Sequence, residues 1–420
     1  MQLSITAGIM TTLEVLSVLF ATAAIFGLVS ARWLRLPLTV GTMLLTVLLS
    51  LFLGAISGVA PAMHAWALRL ANHIDFKSII LHGMLPLLLF AGAFLFDLEQ
   101  LAREKLTIAF MAIGGTLVSI FAIAGLMFLF SAGHIPWIPC LLFGALISPT
   151  DPIAVLEMLR RVGVPKGIQA QLAGESLFND GIGAVLFLAV LDFARGQVPT
   201  PWHIAGMLIA EAGGAVLLGI CAAWVAAHFM RRVNSYQVDI LFTVALALGG
   251  YVIADHLHLS APLEAVVAGI ALRYFNRHQP DNRVAHRDIE GFWGVIDEVQ
   301  NSILFVLLGL ETMVITFDAS AFRAGFAAIL AINAVRLAAV VAILALVRLI
   351  HRGHKSSTFL LTWGGLRGGL SIALALSVPA ELGRSWILGA TYIVVVFSIV
   401  LQGGSMDLFL RRKRLRSQNA

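Results

Sequence analysis

Apolar residues in this chain run together in blocks of roughly 17 to 25, the length an α-helix needs to cross a bilayer core. The blocks recur from about Thr11 to Leu410. Cut at glycines, prolines and charge clusters, they predict thirteen transmembrane helices. In chain order, spans 1–13 cover about 12–31, 37–57, 78–96, 106–130, 137–159, 169–192, 203–229, 237–255, 260–275, 296–313, 322–348, 357–378 and 385–409. The fold class is therefore an all-α polytopic membrane protein. Its membrane domain fills 1–410, and a short basic tail, expected to be cytoplasmic, occupies 411–420. The longest interruption, Arg273 to about Asp297, reads as a loop, and no gap admits a large soluble domain.

Composition agrees. The 420 residues are 59% hydrophobic and 12% charged, whereas soluble domains carry about 25% charged residues. Cys140 and Cys221 lie far apart in apolar segments and read as small buried hydrophobes. No Lys or Arg precedes the first apolar run, which argues against a cleaved signal peptide. Basic residues report orientation. Of the 28 Lys and Arg, only Arg69, Lys77, Arg195, Arg323 and Arg384 fall on one side, and Arg336 and Arg367 fall within spans. The rest share the other side, which predicts N-out, C-in and an odd number of spans. The tail Arg411-Arg412-Lys413-Arg414-Leu415-Arg416 suits anionic lipid headgroups rather than nucleic acid.

Two spans are broken. Ser148-Pro149-Thr150-Asp151-Pro152 interrupts span 5, and Gly364-Gly365-Leu366-Arg367-Gly368-Gly369 interrupts span 12. The breaks are about 216 residues apart and spans 1 and 8 about 225 apart. Helices 1–6 and 8–13 thus read as two inverted repeats. Interrupted helices at matching positions of inverted halves mark the binding site of secondary transporters.

An ionised Asp at a membrane helix centre costs roughly 2.5–3.5 kcal/mol even on lenient scales. Carboxylates in such places commonly handle a cation or a proton. Asp151 is open to two readings, compensating the N-terminus of a restarting half-helix or binding an ion, with Pro152 as the first residue of that half-helix and Asp151 or Thr150 as its cap. Thr150 offers hard oxygen donors suited to Na⁺ or Li⁺. In Gly174-Glu175-Ser176-Leu177-Phe178-Asn179-Asp180, Glu175 shares a helix face with Asn179, and Ser176 with Asp180. Asp180 is the candidate at which proton and cation compete. Arg336 needs a buried anionic partner, best supplied by Glu175, and Arg367 is suited to offset carbonyl ends at the second break. His82 reads as a core histidine, Glu264 and Glu311 as residues near span ends, and Asp297 with Glu298 as bias in an inside funnel. No nucleotide-binding motif indicates a pump.

These motifs resemble the sodium/proton antiporter family of the monovalent cation/proton antiporters. The resemblance rests on the stretches 148–155, 174–180 and Trp363 to Gly369, on Arg336, on Ala254-Asp255 before His258-Leu259-Ser260, and on Leu85-Pro86 with Leu89-Phe90 before Gly92-Ala93. It implies a homodimer of thirteen-helix protomers. Core helices at about 106–192 and 322–409, with helices 5 and 12 crossing, would move elevator-like against dimerisation helices at about 12–96 and 203–313. It also implies Asn179-Asp180 as the ion-binding pair, with Thr150, Asp151 and Ser176 around the ion and Glu175 paired with Arg336. Asn179 stands where electrogenic relatives carry a second Asp, which implies electroneutral exchange. Ala91 departs from relatives with an acidic residue there, so selectivity does not carry over. The expected function is antiport of Na⁺ (or Li⁺) against H⁺ in a bacterial plasma membrane, with no cofactor. The alternatives are K⁺/H⁺ antiport, a channel and, from another class, an intramembrane aspartyl protease.

Overall fold

The computed structural model describes residues 12–34, 36–196, 201–233, 235–276, 283–315, 319–350, 356–406 and 409. The basic tail 411–420 and parts of the expected inside loops, including Arg35, Arg277, Arg352 and Lys355, lie outside the described residues. The described residues form helices and turns only. In order they are α1 (Leu13–Leu34), α2 (Leu38–Ala55), α3 (Pro61–His73), α4 (Phe76–Phe94), α5 (Leu98–Phe130), α6 (Trp137–Ile147), α7 (Ile153–Val162) and α8 (Lys166–Ala194). There follow α9 (Pro201–Met230), α10 (Tyr236–His256), α11 (Ala261–Asn276), α12 (Arg283–Glu311), α13 (Ala319–Ile350), α14 (Thr358–Trp363), α15 (Gly369–Leu376) and α16 (Arg384–Met406).

Ten of these helices are long and apolar enough to cross a membrane. The segments read as spans 5, 9 and 12 are instead the broken pair α6–α7, the 16-residue α11 and the broken pair α14–α15. Many large apolar side chains face outward, such as Phe20, Leu51, Leu217, Leu241 and Leu349, as expected where the surrounding solvent is lipid.

Helix boundaries depart from the hydropathy reading where helices are amphipathic. The expected loop between Arg273 and Asp297 is largely helical, because α12 starts at Arg283. Ile289 and Trp293 are buried on one face while Arg287 and Asp288 face outward, a helical period that a search for apolar runs misses. Likewise α3 was not expected, and it begins with Pro61 at its first turn. Helix α5 starts at Leu98 because Asp97 caps it, accepting from the N–H groups of Glu99 (2.9 Å) and Gln100 (3.3 Å).

Two side-chain expectations also fail. His82 and Cys221 are exposed rather than buried, since each lies on the outer face of its helix. Glu264 and Glu311 lie near helix ends as expected, and both are buried.

The helices pack around several apolar cores. One joins α5, α6, α8, α13, α15 and α16 through residues such as Ile123, Phe143, Phe187, Ile332, Leu374 and Ile387. Another joins α4, α9, α10, α11 and α12 through Phe90, Ala223, Ala247, Leu272 and Trp293. A third, the largest, runs from α1 and α2 across α7 and α12 to α16. The two breaks lie where these cores meet.

Candidate functional site

The breaks cross and bond to each other. Two prolines remove backbone donors from 148–152, so α6 ends at Ile147 and α7 restarts at Ile153. Pro152 is the residue that precedes α7 rather than its first helical residue. At the second break, α14 stops at Trp363 and α15 starts at Gly369. The Asp151 N–H donates to the Leu366 carbonyl at 2.8 Å. In return the Arg367 guanidinium donates to the Pro149 carbonyl at 3.3 Å. Each break therefore supplies a partner to a backbone group that the other leaves without one.

Side chains consolidate the crossing. The Asp151 carboxylate accepts from the Ile153 N–H at 3.0 Å, at the positive end of α7. Gly368 is required for this approach, because a Cβ there would sit 2.6 Å from the Cβ of Asp151. The Arg367 N–H donates to the Ser398 hydroxyl at 3.0 Å. Ser398 in turn donates to Gln402, and Gln402 to Asn333, both at 2.7 Å. Ser398 and Gln402 lie on a π-helical stretch of α16, Phe397–Gly403. The only sequence signal of this chain of amides and hydroxyls is a Gln and an Asn inside otherwise apolar helices.

Helix α8 holds the first break from the other side. Ser176 donates to the Thr150 carbonyl at 2.5 Å. Asn179 donates to the Thr150 hydroxyl at 2.9 Å and accepts from the Thr150 N–H at 3.3 Å. Asn179 thus clamps Thr150, and it does not line the cavity described below. One turn earlier, Glu175 and Arg336 form a two-pronged ion pair, with Arg336 Nη2 2.8 Å from Glu175 Oε2 and Nη1 bonded to Oε1. Arg336 also donates to the Leu361 carbonyl near the end of α14, at 2.8 and 3.2 Å. Both partners are buried, at 7% and 1% exposure.

A cavity of about 580 Å³ opens beside the crossing. Thr150, Asp151, Ser176 and Asp180 line its inner end, and Arg160 and Lys166 its mouth. The Asp180 carboxylate makes no hydrogen bond among the described residues, and its charged neighbours are Asp151 and Arg367. Five ionisable groups therefore meet at the crossing: acids 151, 175 and 180, and bases 336 and 367. With all five ionised, one negative charge is left without a counter-charge. Among the described residues no cluster of three His, Cys, Asp or Glu is arranged to hold a metal ion.

Comparison with known proteins places this geometry. Residues 20–412 match the transmembrane region of the sodium/hydrogen exchangers. The chain is 38% identical over 409 residues to the Na⁺/H⁺ antiporter NhaP of Pseudomonas aeruginosa, covering 95% of this chain and 96% of that protein. It is 29% identical over 342 residues to the Na⁺/H⁺ antiporter NhaH of Halobacillus dabanensis, covering 80% and 83% of the two chains. Its fold is that of the sodium proton antiporter MjNhaP1 from Methanocaldococcus jannaschii, with a TM-score of 0.72 at 21% identity over 96% of this chain and 99% of that one. The chain belongs to the sodium/hydrogen exchanger family, whose members are secondary transporters and not enzymes.

Proposed function

We propose that this protein exchanges Na⁺ (or Li⁺) for H⁺ by alternating access, with both ions competing for Asp180. The observation that carries the reading is the uncompensated negative charge at the crossing, facing a cavity of about 580 Å³. One bound cation or one proton neutralises it, and neither leaves room in the charge balance for the other. That balance supports a 1:1, electroneutral exchange. In the proposed site the ion contacts the carboxylates of Asp180 and Asp151 and oxygens of Thr150 and Ser176. Asn179 positions Thr150, the Glu175–Arg336 pair ties α8 to α13, and Arg367 offsets charge at the break.

The finer architecture belongs to the same proposal. Thirteen spans, N-out and C-in, would form two inverted repeats, with α6–α7 and α14–α15 as the crossing helices. The core shared by α5, α6, α8, α13, α15 and α16 and the core shared by α4 and α9–α12 support a mobile unit of α5–α8 and α13–α16 moving against the remaining helices, with the largest core packed between the two. A homodimer, contacts between the basic tail and anionic lipid, and a bacterial inner membrane location complete the reading. Potassium/proton exchange is not favoured, because the similar proteins are named as Na⁺/H⁺ antiporters.

The test is purified protein in proteoliposomes with an imposed pH gradient. Na⁺ addition should dissipate the gradient, and Asp180→Asn should abolish the response. Calorimetry in buffers of different ionisation enthalpy should show about one proton released per Na⁺ bound. Normal exchange by Asp180→Asn, or Na⁺ binding without proton release at every pH, would refute the proposal.

A further inference from the structure

The cavity has a second polar wall. Helix α12 presents Asp297 and Asn301, one turn apart, to the same space that Asp151 and Asp180 face. The Asn301 amide donates to Asp297 Oδ1 at 3.1 Å, which orients the side chain. Its own carbonyl oxygen then has no partner, although Asn301 is only 1% exposed. Asp297 makes no ion pair among the described residues. Arg160 approaches from α7 and lines the mouth, yet it stays beyond ion-pair distance of Asp297. Glu298 adds a further negative charge beside the cavity. A carboxylate lining the cavity and a buried, orphaned amide carbonyl beside it are hard oxygen donors of the kind that replace water around an alkali cation.

We propose that Asp297 and Asn301 form a vestibule subsite for the transported cation, on the α12 wall of the cavity. The inference rests on the antiport reading and extends it to where the ion waits before it reaches Asp180. It follows that the subsite acts from one side only. Helix α12 packs mainly against α2 and α4, with a smaller contact to α15, whereas Asp151 and Asp180 belong to the first break and to α8. If the crossing unit moves relative to α12, the subsite faces the central site only while the cavity is open towards Arg160 and Lys166. Binding there raises the local cation concentration and lowers the half-saturating concentration on that side. It leaves the maximal rate and the opposite side alone.

The experiment compares Na⁺/H⁺ exchange in everted and right-side-out vesicles. Asp297→Asn should raise the half-saturating Na⁺ concentration about fivefold from the Arg160 and Lys166 side. It should leave that concentration unchanged from the other side and keep the maximal rate within twofold. Asn301→Leu should act in the same direction, about threefold, and Asn301→Asp should restore or tighten binding. A second measurement reads ²²Na⁺ binding to purified protein in which Asp180→Asn has disabled the central site. Residual weak binding should persist and should vanish when Asp297→Asn is added. Unchanged half-saturation in Asp297→Asn, or equal changes on both sides with a reduced maximal rate, would overturn the subsite while leaving antiport intact. Absence of exchange in the unmutated protein would overturn the antiport reading instead, and the ²²Na⁺ comparison would still decide the subsite.

Discussion

Replacing Arg336 by Met should destabilise the protein far more than an ordinary surface change. The substitution removes both prongs of the bond to Glu175 and both donations to the Leu361 carbonyl. It strands a carboxylate that is 1% exposed. Removing one partner of a buried ion pair costs about 3–5 kcal/mol, and leaving a buried carbonyl without its donor adds roughly 1 kcal/mol. Unfolding entropy of about 2.1 cal/mol/K per residue, taken over 420 residues, gives roughly 0.9 kcal/mol per degree. The expected fall in Tm is therefore about 4–7 °C. The double variant Glu175→Met with Arg336→Met removes both charges and should recover more than half of that loss, because no unpaired charge remains buried. Thermal unfolding of detergent-solubilised protein, followed by circular dichroism, reads Arg336→Met, Glu175→Met and the double variant. A Tm for Arg336→Met within 1 °C of the parent, or a double variant that loses the sum of the singles, would refute the coupling argued from the geometry.

Three further outcomes follow from the crossing. Gly368→Ala places a methyl group 2.8 Å from the Asp151 carboxyl carbon; exchange should fall at least tenfold in a protein that still elutes as a single folded species, and parental rates would show that Asp151 does not depend on this approach. If protons compete with the cation as proposed, proton occupancy rises and cation affinity falls as pH drops; the half-saturating Na⁺ concentration should rise about tenfold per pH unit once the site is mostly protonated, and a flat dependence over two units would exclude a shared site. Arg367→Lys should keep measurable exchange while Arg367→Gln loses it, since Lys retains the charge beside Asp180; equal loss in both would assign Arg367 to the geometry of its bond with Pro149.

Much of this was legible in sequence because lipid imposes a coarse rule. Apolar blocks of helix length, interrupted twice by Pro or Gly with charge, are visible without any neighbour in view. The charged and polar residues singled out from those interruptions, from Thr150 to Arg367, all fall at or beside the crossing. What stayed hidden is what depends on a second helix face. The helical stretch of α12 before Asp297 looks like a loop because its charges mask a buried stripe through Ile289 and Trp293. His82 and Cys221 carry no mark of which way their helices face. Asn179, adjacent to Asp180 in sequence, points to Thr150 instead of the cavity, and a rotation of about 100° per helical residue separates neighbours that strongly. The Ser398–Gln402–Asn333 chain joins residues 69 positions apart and could not be read from either end alone.

Charge balance at the crossing also bears on coupling. Exchange without leak requires that the empty, deprotonated site cross the membrane much more slowly than the loaded one. Without a bound ion, the three carboxylates at the crossing outnumber its two arginines by one. Carrying an unanswered carboxylate through the bilayer centre costs roughly 2.5–3.5 kcal/mol on lenient scales. At 1.36 kcal/mol per tenfold, that slows the empty crossing by a factor of about 70 to 400. A bound Na⁺ or proton removes the excess charge and with it the penalty, and either cargo does so equally well. On the proposed mechanism, the same single charge would account for two properties that need not have shared a cause. It would make the two ions mutually exclusive, and it would make movement conditional on carrying one of them. An added positive side chain near Asp180 would remove that condition on movement, because the unloaded site would then be neutral and free to move.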